Sequence, residues 1–256
     1  LILRPMTGVS PVPRPFRRLP ILPALLSLLV ASGPAARAAE PVTDLELVLL
    51  ADVSGSIDAA EVAFQREGYA RALTDPEVLA AIAETGMGSI VVTYVEWATD
   101  TTVIVPWTRI SGAAEAAGFA EILQETPRSA FGRNAIGDAL LAGKDLIETN
   151  GIEALRRVID FSGDSANSYE GVSIAEARAA VLDAGITING LPVVCRDCNG
   201  PPGSGDLVAQ YERLIIGGPG AFVVAADDRT RFAEAVKRKL ILEISGLTPA
   251  SVFAAR

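Results

Sequence analysis

From Leu45 to Ala51 the chain reads LELVLLA, an apolar run that only Glu46 interrupts. A strand with one face in water alternates polar and apolar residues, whereas an unbroken run is buried on both faces, as in parallel sheets covered by helices. The following sequence agrees with that constraint. Asp58, with Glu61 three residues on, offers a capping box for a helix at 59–73, and Val62, Tyr69 and Leu73 share one side of it. Further helical stretches at 113–126, 135–148 and 173–184 alternate with strand-like runs at 89–97, 156–162 and 186–194. This alternation predicts a doubly wound α/β fold, its sheet mostly parallel and its helices on both faces. The run at 101–106 follows 89–97 across a tight turn at Asp100, which predicts an antiparallel hairpin at the sheet edge. Asp206 caps a helix to about Arg213, Ala221–Ala225 is a last short strand, and 231–244 is a terminal amphipathic helix.

The first 38 residues read as an export signal. Arg14, Arg17 and Arg18 precede an apolar run from Leu19 to Ala31, and Ala36-Arg37-Ala38 presents small residues where a signal peptidase cuts. The run is broken by Pro20 and Pro23 and too short to span a bilayer, so no stable membrane insertion is expected after cleavage. The expected product is one exported domain, residues 42–256. Removing residues 1–38 takes away five arginines and no acid, leaving 17 basic against 31 acidic residues. Such a surface repels phosphate backbones and excludes nucleic acid as a partner, but it attracts a divalent cation.

The chain contains no histidine. No Ser-His-Asp or Cys-His arrangement can be built from it, and neither can a His-ligated zinc or haem site. Gly163-Asp164-Ser165 therefore cannot be the nucleophile block of a histidine-dependent esterase, and the balance is against an enzyme. Cys195 and Cys198 form a C-x₂-C which, in an exported chain, points to a short local disulfide.

In an open α/β sheet ligands sit beyond the carboxyl ends of the strands. Three segments place oxygen donors there: Asp52, Ser54 and Ser56 after the first strand, Gly132-Arg133-Asn134 before the helix at 135, and Ser162-Gly163-Asp164-Ser165 after the strand at 156. Carboxylates, hydroxyls and an amide oxygen form a set suited to a hard cation, Mg²⁺ or alternatively Ca²⁺ or Mn²⁺. Taken alone, Asp52-x-Ser-x-Ser equally fits a capped turn. Asp160, inside its strand, reads as an acceptor that supports the metal ligands from behind or as a buried hydrogen-bonded group, and Asp138 as a first-turn acid favoured by the helix dipole. Trp97 and Trp107 read as sheet-edge packing or as the rim of a binding face.

These motifs resemble the von Willebrand factor A, or integrin I-like, domains, and in particular an uncharacterised, exported, single-domain bacterial subgroup (DUF1194-like). The resemblance extends over roughly residues 42–244. It implies a six-stranded sheet with one antiparallel edge strand and a metal-ion-dependent adhesion site. Asp52, Ser54 and Ser56 match the family's DxSxS, Asn134 stands where a Thr is usual, and Asp164 stands where the second Asp is usual, with SGD in place of TDG. The function implied is cation-dependent protein binding, in which an acidic residue of a protein partner completes the metal's coordination. Two other functions compete with it: a metal-dependent hydrolase of phosphate or ester, and a scaffold that binds no metal.

Overall fold

In the computed structural model, which describes residues 42–194, 206–226 and 231–249, the apolar run forms β1 (Thr43–Asp52), all of it buried. The chain continues through α1 (Ala59–Leu73), α2 (Pro76–Ala83), β2 (Ile90–Trp97), β3 (Thr101–Ile110), α3 (Ala113–Glu125), α4 (Ile136–Thr149) and β4 (Ala154–Gly163). It then passes through α5 (Ile174–Asp183), β5 (Thr187–Pro192), α6 (Leu207–Leu214) and α7 (Phe232–Ser245). The sheet order is β3-β2-β1-β4-β5, which puts β1 at the centre. Its neighbours β2 and β4 run parallel to it, β5 runs parallel to β4, and β3 is the antiparallel edge strand expected from the hairpin.

The central position explains why β1 lacks alternation. Leu45, Leu47, Leu49 and Ala51 pack into one core with Tyr69 and Leu73 of α1, Phe119 of α3 and Leu240 of α7. Val48 and Leu50 point the other way, into a second core with Leu140 of α4, Val181 of α5 and Tyr211 of α6. The capping box of α1 forms as expected: Asp58 accepts from the amides of Ala60 and Glu61, and Glu61 accepts from that of Asp58. Trp97 is not edge packing. It sits within the sheet, fully buried and stacked on Phe161 with ring centroids 4.9 Å apart.

The strand count needs a correction, since five strands, not six, form the ladder among the described residues. Segment 221–225, expected as the sixth, lies with Ala226 beside β5 through separate bridges, Gly190 with Val223 and Val193 with Ala226. The Gly190 amide donates to the Phe222 carbonyl, and the Val224 amide returns a bond to the Gly190 carbonyl, each at 3.0 Å. Two residues on, the next donor in a parallel ladder would be the amide of Pro192, which has no N–H. Its carbonyl still accepts from the Ala226 amide. The pairing is therefore broken where the strand would otherwise continue. No described helix is long and apolar enough to cross a membrane. The expected signal at 1–38 and the pair Cys195 and Cys198 lie outside the described residues.

Candidate metal centre

β1 delivers Asp52 to the carboxyl edge of the sheet with its side chain closed to solvent. Its Oδ1 accepts the Ser54 amide at 2.8 Å, which folds the chain back and turns Ser54 toward Ser56, their hydroxyl oxygens 3.4 Å apart. Oδ2 of Asp52 has no hydrogen-bond partner among the described residues although it is buried. A Cβ built on Gly163 would lie 2.9 Å from that oxygen, 3.1 Å from the Tyr211 hydroxyl and 3.2 Å from Trp97, so this side of Asp52 is walled by glycine backbone.

The second segment is tied to the first by its backbone, the Gly55 amide donating to the Gly132 carbonyl at 2.8 Å. Gly132 has φ +117°, and a Cβ there would lie 2.3 Å from Thr99 Oγ1, so the turn takes only glycine. Two residues later Asn134 is buried, its Nδ2 donating to the Asn167 carbonyl at 3.2 Å. That bond commits the amide's NH₂ to the third segment and leaves Oδ1 as the atom able to accept. The Asn134 carbonyl also accepts from the amides of Tyr169 at 2.8 Å and Glu170 at 3.3 Å. The third segment leaves β4 at Gly163, and Asp164 accepts a hydrogen bond from Ser56. Asp52, Ser54, Ser56 and Asp164 are thus brought together side chain to side chain. Asn134 joins them through the backbone of the loops on either side.

The electrostatics are those of a site short of positive charge. Burial pushes the Asp52 carboxyl up to about 7, and the neighbouring Asp164 carboxylate adds to the rise against the hydrogen bonds from Ser54. Asp164 is likewise raised, first by burial, with the Ser56 bond opposing and the charge of Glu61 adding. Two carboxylates that resist ionisation side by side, one carrying a bare buried oxygen, are what a divalent cation relieves. The donors are all oxygen, which fits Mg²⁺ or Ca²⁺. Among the described residues no group of three or more His, Cys, Asp or Glu could hold a metal. With only two carboxylates, a cation here depends on the hydroxyls and the amide oxygen for the rest of its coordination.

Sequence reasoning missed several residues that build this edge. The Arg128 guanidinium donates to the carbonyls of Val53 and of Ile57 (3.0 Å), and its Nε donates to that of Ala130 (3.1 Å), so one side chain clamps the first segment to the second. Nothing in the local pattern marks it, since an Arg after Pro127 reads as linker. Thr99, in the β2–β3 turn, donates to Glu170 at 2.6 Å and accepts from the Arg133 amide at 2.9 Å. Asp138 does more than favour a helix dipole: its Oδ1 accepts the Val172 amide at 2.8 Å and so fixes to α4 the loop that runs from the third segment to α5.

The comparisons agree with this architecture. A family model described as "protein of unknown function (DUF1194)" matches residues 42–248. No curated protein matches the sequence. Proximal thread matrix protein 1 from the mussel byssus superposes with a TM-score of 0.56 at 16% identity, over 80% of this chain and 47% of that one. A further structure of that protein has a zinc-occupied MIDAS motif. The pilus adhesin SpaC from Lactobacillus rhamnosus GG gives 0.57 at 13% identity, over 81% of this chain and 31% of the adhesin. The vWF domain of the type V pili tip protein Mfa5 from Porphyromonas gingivalis gives 0.55 at 9% identity, over 80% of this chain and 97% of that domain. This chain spans less than half the length of the first two of these structures. At such identities the likeness is one of fold, and the fold is of the von Willebrand A type.

Proposed function

We infer that this chain, which belongs to the DUF1194 family, is a protein-binding domain of the von Willebrand A type whose binding depends on a divalent cation. Asp52, Ser54, Ser56, Asn134 and Asp164 are the residues that would hold the cation. The observation that carries the reading is the Asp52 carboxylate, fully buried, its Oδ2 without a hydrogen-bond partner among the described residues and a second carboxylate, Asp164, beside it. A buried carboxylate oxygen without a hydrogen bond costs about 1–3 kcal/mol or more. Where Glu46, Glu96, Asp160 and Glu243, which carry such oxygens too, each have an arginine or lysine charge beside them, Asp52 has none among the described residues. When bound, Mg²⁺ supplies a hard, positively charged site with coordination positions that water or a partner's carboxylate can fill. The chain's own residues do the rest: Asp52 and Asp164 set the charge, Ser54 and Ser56 add neutral oxygens, and the Asn134 amide oxygen stands where a hydroxyl is more usual. The MIDAS of the mussel protein and the adhesin and pilus-tip roles of other neighbours support the same reading. Binding is favoured over catalysis because the chain has no histidine to move protons near neutral pH.

The reading includes export to the periplasm or beyond, with residues 1–38 removed and 42–256 forming the mature domain. The partner is a protein that presents an acidic residue. Calorimetric titration of Mg²⁺, Mn²⁺ and Ca²⁺ into wild type and Asp52→Ala tests it. Saturable binding by wild type and its loss in the variant are expected, and identical behaviour of the two proteins would sink it.

A further inference from the structure

We propose that Phe131 and Tyr169 form an aromatic rim that selects a partner segment in which an aromatic side chain adjoins the acidic residue. The proposal rests on the cation-dependent reading above and specifies its ligand. Among the described residues the exposed large aromatic side chains are these two, 55% and 59% exposed. They stand on the two loops that carry Asn134 and Asp164. Exposed aromatics elsewhere on a domain can be incidental, but two on the loops of one candidate site form a surface of the kind that anchors interfaces.

Each ring is backed by a guanidinium. The Arg128 carbon lies 5.0 Å from the Phe131 centroid, and the Arg133 carbon lies 4.9 Å from the Tyr169 centroid. The backbone beneath them is fixed: Phe131 O accepts from the Asp100 amide at 3.4 Å, and Tyr169 donates its amide to Asn134 at 2.8 Å. Rings held on braced loops lose little freedom when a partner docks, which is how Tyr-rich binding surfaces gain affinity.

Charge narrows the partner further. The chain carries a formal charge of −9, and the exposed acids Asp100 and Glu170 lie beside these rings, Glu170 accepting from the Thr99 hydroxyl. But the rim also presents Arg133, which is exposed and in no ion pair among the described residues. The complement of a cation site, two flat apolar faces and an exposed guanidinium is an acidic segment with an aromatic residue next to its acid. A segment with an acid alone would leave both rings in water.

The test uses three capped synthetic peptides, Gly-Trp-Asp-Gly, Gly-Ala-Asp-Gly and Gly-Trp-Asn-Gly, titrated into ¹⁵N-labelled protein in Mg²⁺ and in EDTA, with Mg²⁺ affinity read separately by calorimetry. The Trp-Asp peptide is expected to bind about two- to tenfold tighter than the Ala-Asp peptide in Mg²⁺, the range for one aromatic pair. The Phe131→Ser/Tyr169→Ser variant should lose that advantage while keeping wild-type Mg²⁺ affinity, and its unchanged amide spectrum would show that it folds. Equal affinity of the two Asp peptides, binding of neither, or an advantage that survives in the variant overturns the rim while the cation site stands. Failure of wild type to bind Mg²⁺ removes the cation reading and the rim with it.

Discussion

The Lys239 ammonium lies 2.8 Å from Asp160 Oδ1, with both side chains sealed beneath the sheet. It also pairs with Glu243 one turn along α7, so one cation serves two buried carboxylates. The cluster joins β4 to α7 through charge in the middle of an apolar core. Replacing Lys239 by Met keeps the volume but takes from Asp160 and Glu243 the ammonium they share. Removing one partner of a buried pair costs about 3–5 kcal/mol, so Lys239→Met should lower the urea unfolding midpoint by an amount equivalent to roughly that loss. A midpoint within error of wild type would refute it.

The same cluster sets a pH dependence. Burial pushes the Glu243 carboxyl up to about 7, with Lys239 opposing and the Asp160 charge adding. The groups facing it are Asp160 of β4, itself raised by burial, Asn189 of β5, which donates to Glu243 Oε1 at 2.9 Å, Lys239 on α7 and Tyr69 of α1. Arg156 adds a further charge nearby and donates to the Glu243 backbone carbonyl. The folded protein therefore keeps a proton on Glu243 that the unfolded chain releases above its ordinary value of 4.5. Stability from this group falls as pH rises from 4.5 to about 7 and changes little beyond. Urea titrations across that range should show a steeper decline for wild type than for Glu243→Gln, and parallel curves would exclude Glu243 as the source.

Arg128 touches none of the candidate ligand oxygens, yet it holds the carbonyls of Val53 and Ile57 against that of Ala130. Arg128→Ala should weaken Mg²⁺ binding about tenfold, the scale on which groups that orient ligands act. Arg128→Lys should recover little of it, because a single ammonium cannot reproduce a planar fork reaching three carbonyls. Mg²⁺ affinities of wild type and the two variants by calorimetry decide the point, and an Arg128→Ala affinity equal to wild type rules out the clamp.

These contacts show where the sequence was legible. The unalternating run at 45–51 disclosed a central parallel strand, because burial on both faces writes itself directly into residue type. Asp52, Ser54 and Ser56 were legible because donors two residues apart on one turn belong to one local motif. Arg128 and Thr99 were not legible, since they act on segments 71 or 75 and 34 residues away and only the folded loops bring them there. The break in the sixth strand hinges on Pro192, in a neighbouring strand whose pairing register cannot be read along the chain. Lys239 was hidden for another reason: on an amphipathic terminal helix a lysine reads as a solvated face, and only the pairing with Asp160 places it inside.

Gly163 tests how tightly the first carboxylate is held. A methyl there would fall 2.9 Å from Asp52 Oδ2 and 3.1 Å from the Tyr211 hydroxyl, which itself donates to the Gly163 carbonyl at 2.8 Å. Neither neighbour is free to swing, since Asp52 is bound to Ser54 and Tyr211 is packed on Phe161. Gly163→Ala should cost about 1–3 kcal/mol by overpacking and should also weaken Mg²⁺ binding by displacing Asp52. Thermal unfolding with and without Mg²⁺ separates the two effects, and a variant as stable as wild type, with the same Mg²⁺-induced rise in Tm, contradicts both.

Asn134 offers the sharpest sign test of the site. Its Nδ2 bond to the Asn167 carbonyl leaves one neutral oxygen to serve a cation, while Asp52 and Asp164 already resist ionising together. Asn134→Asp keeps the shape, replaces the NH₂ by an oxygen, breaks the Asn167 bond and adds a third negative charge. Without metal that charge meets two others in a buried setting, so the variant should be less stable than wild type in EDTA, by about 1–3 kcal/mol for the lost bond and the unpaired group. With Ca²⁺ or Mg²⁺ the added carboxylate is a hard ligand, and affinity for such ions rises with the charge of the ligand set. The variant should therefore bind the cation at least tenfold more tightly, a gain of about 1.4 kcal/mol. A residue placed away from the cation would give the destabilisation without the gain. Unfolding midpoints in EDTA and in excess Ca²⁺ read both signs in one experiment: a variant weakened equally in the two conditions puts Asn134 outside the coordination sphere, and one that overtakes or closes on wild type in Ca²⁺ puts it within.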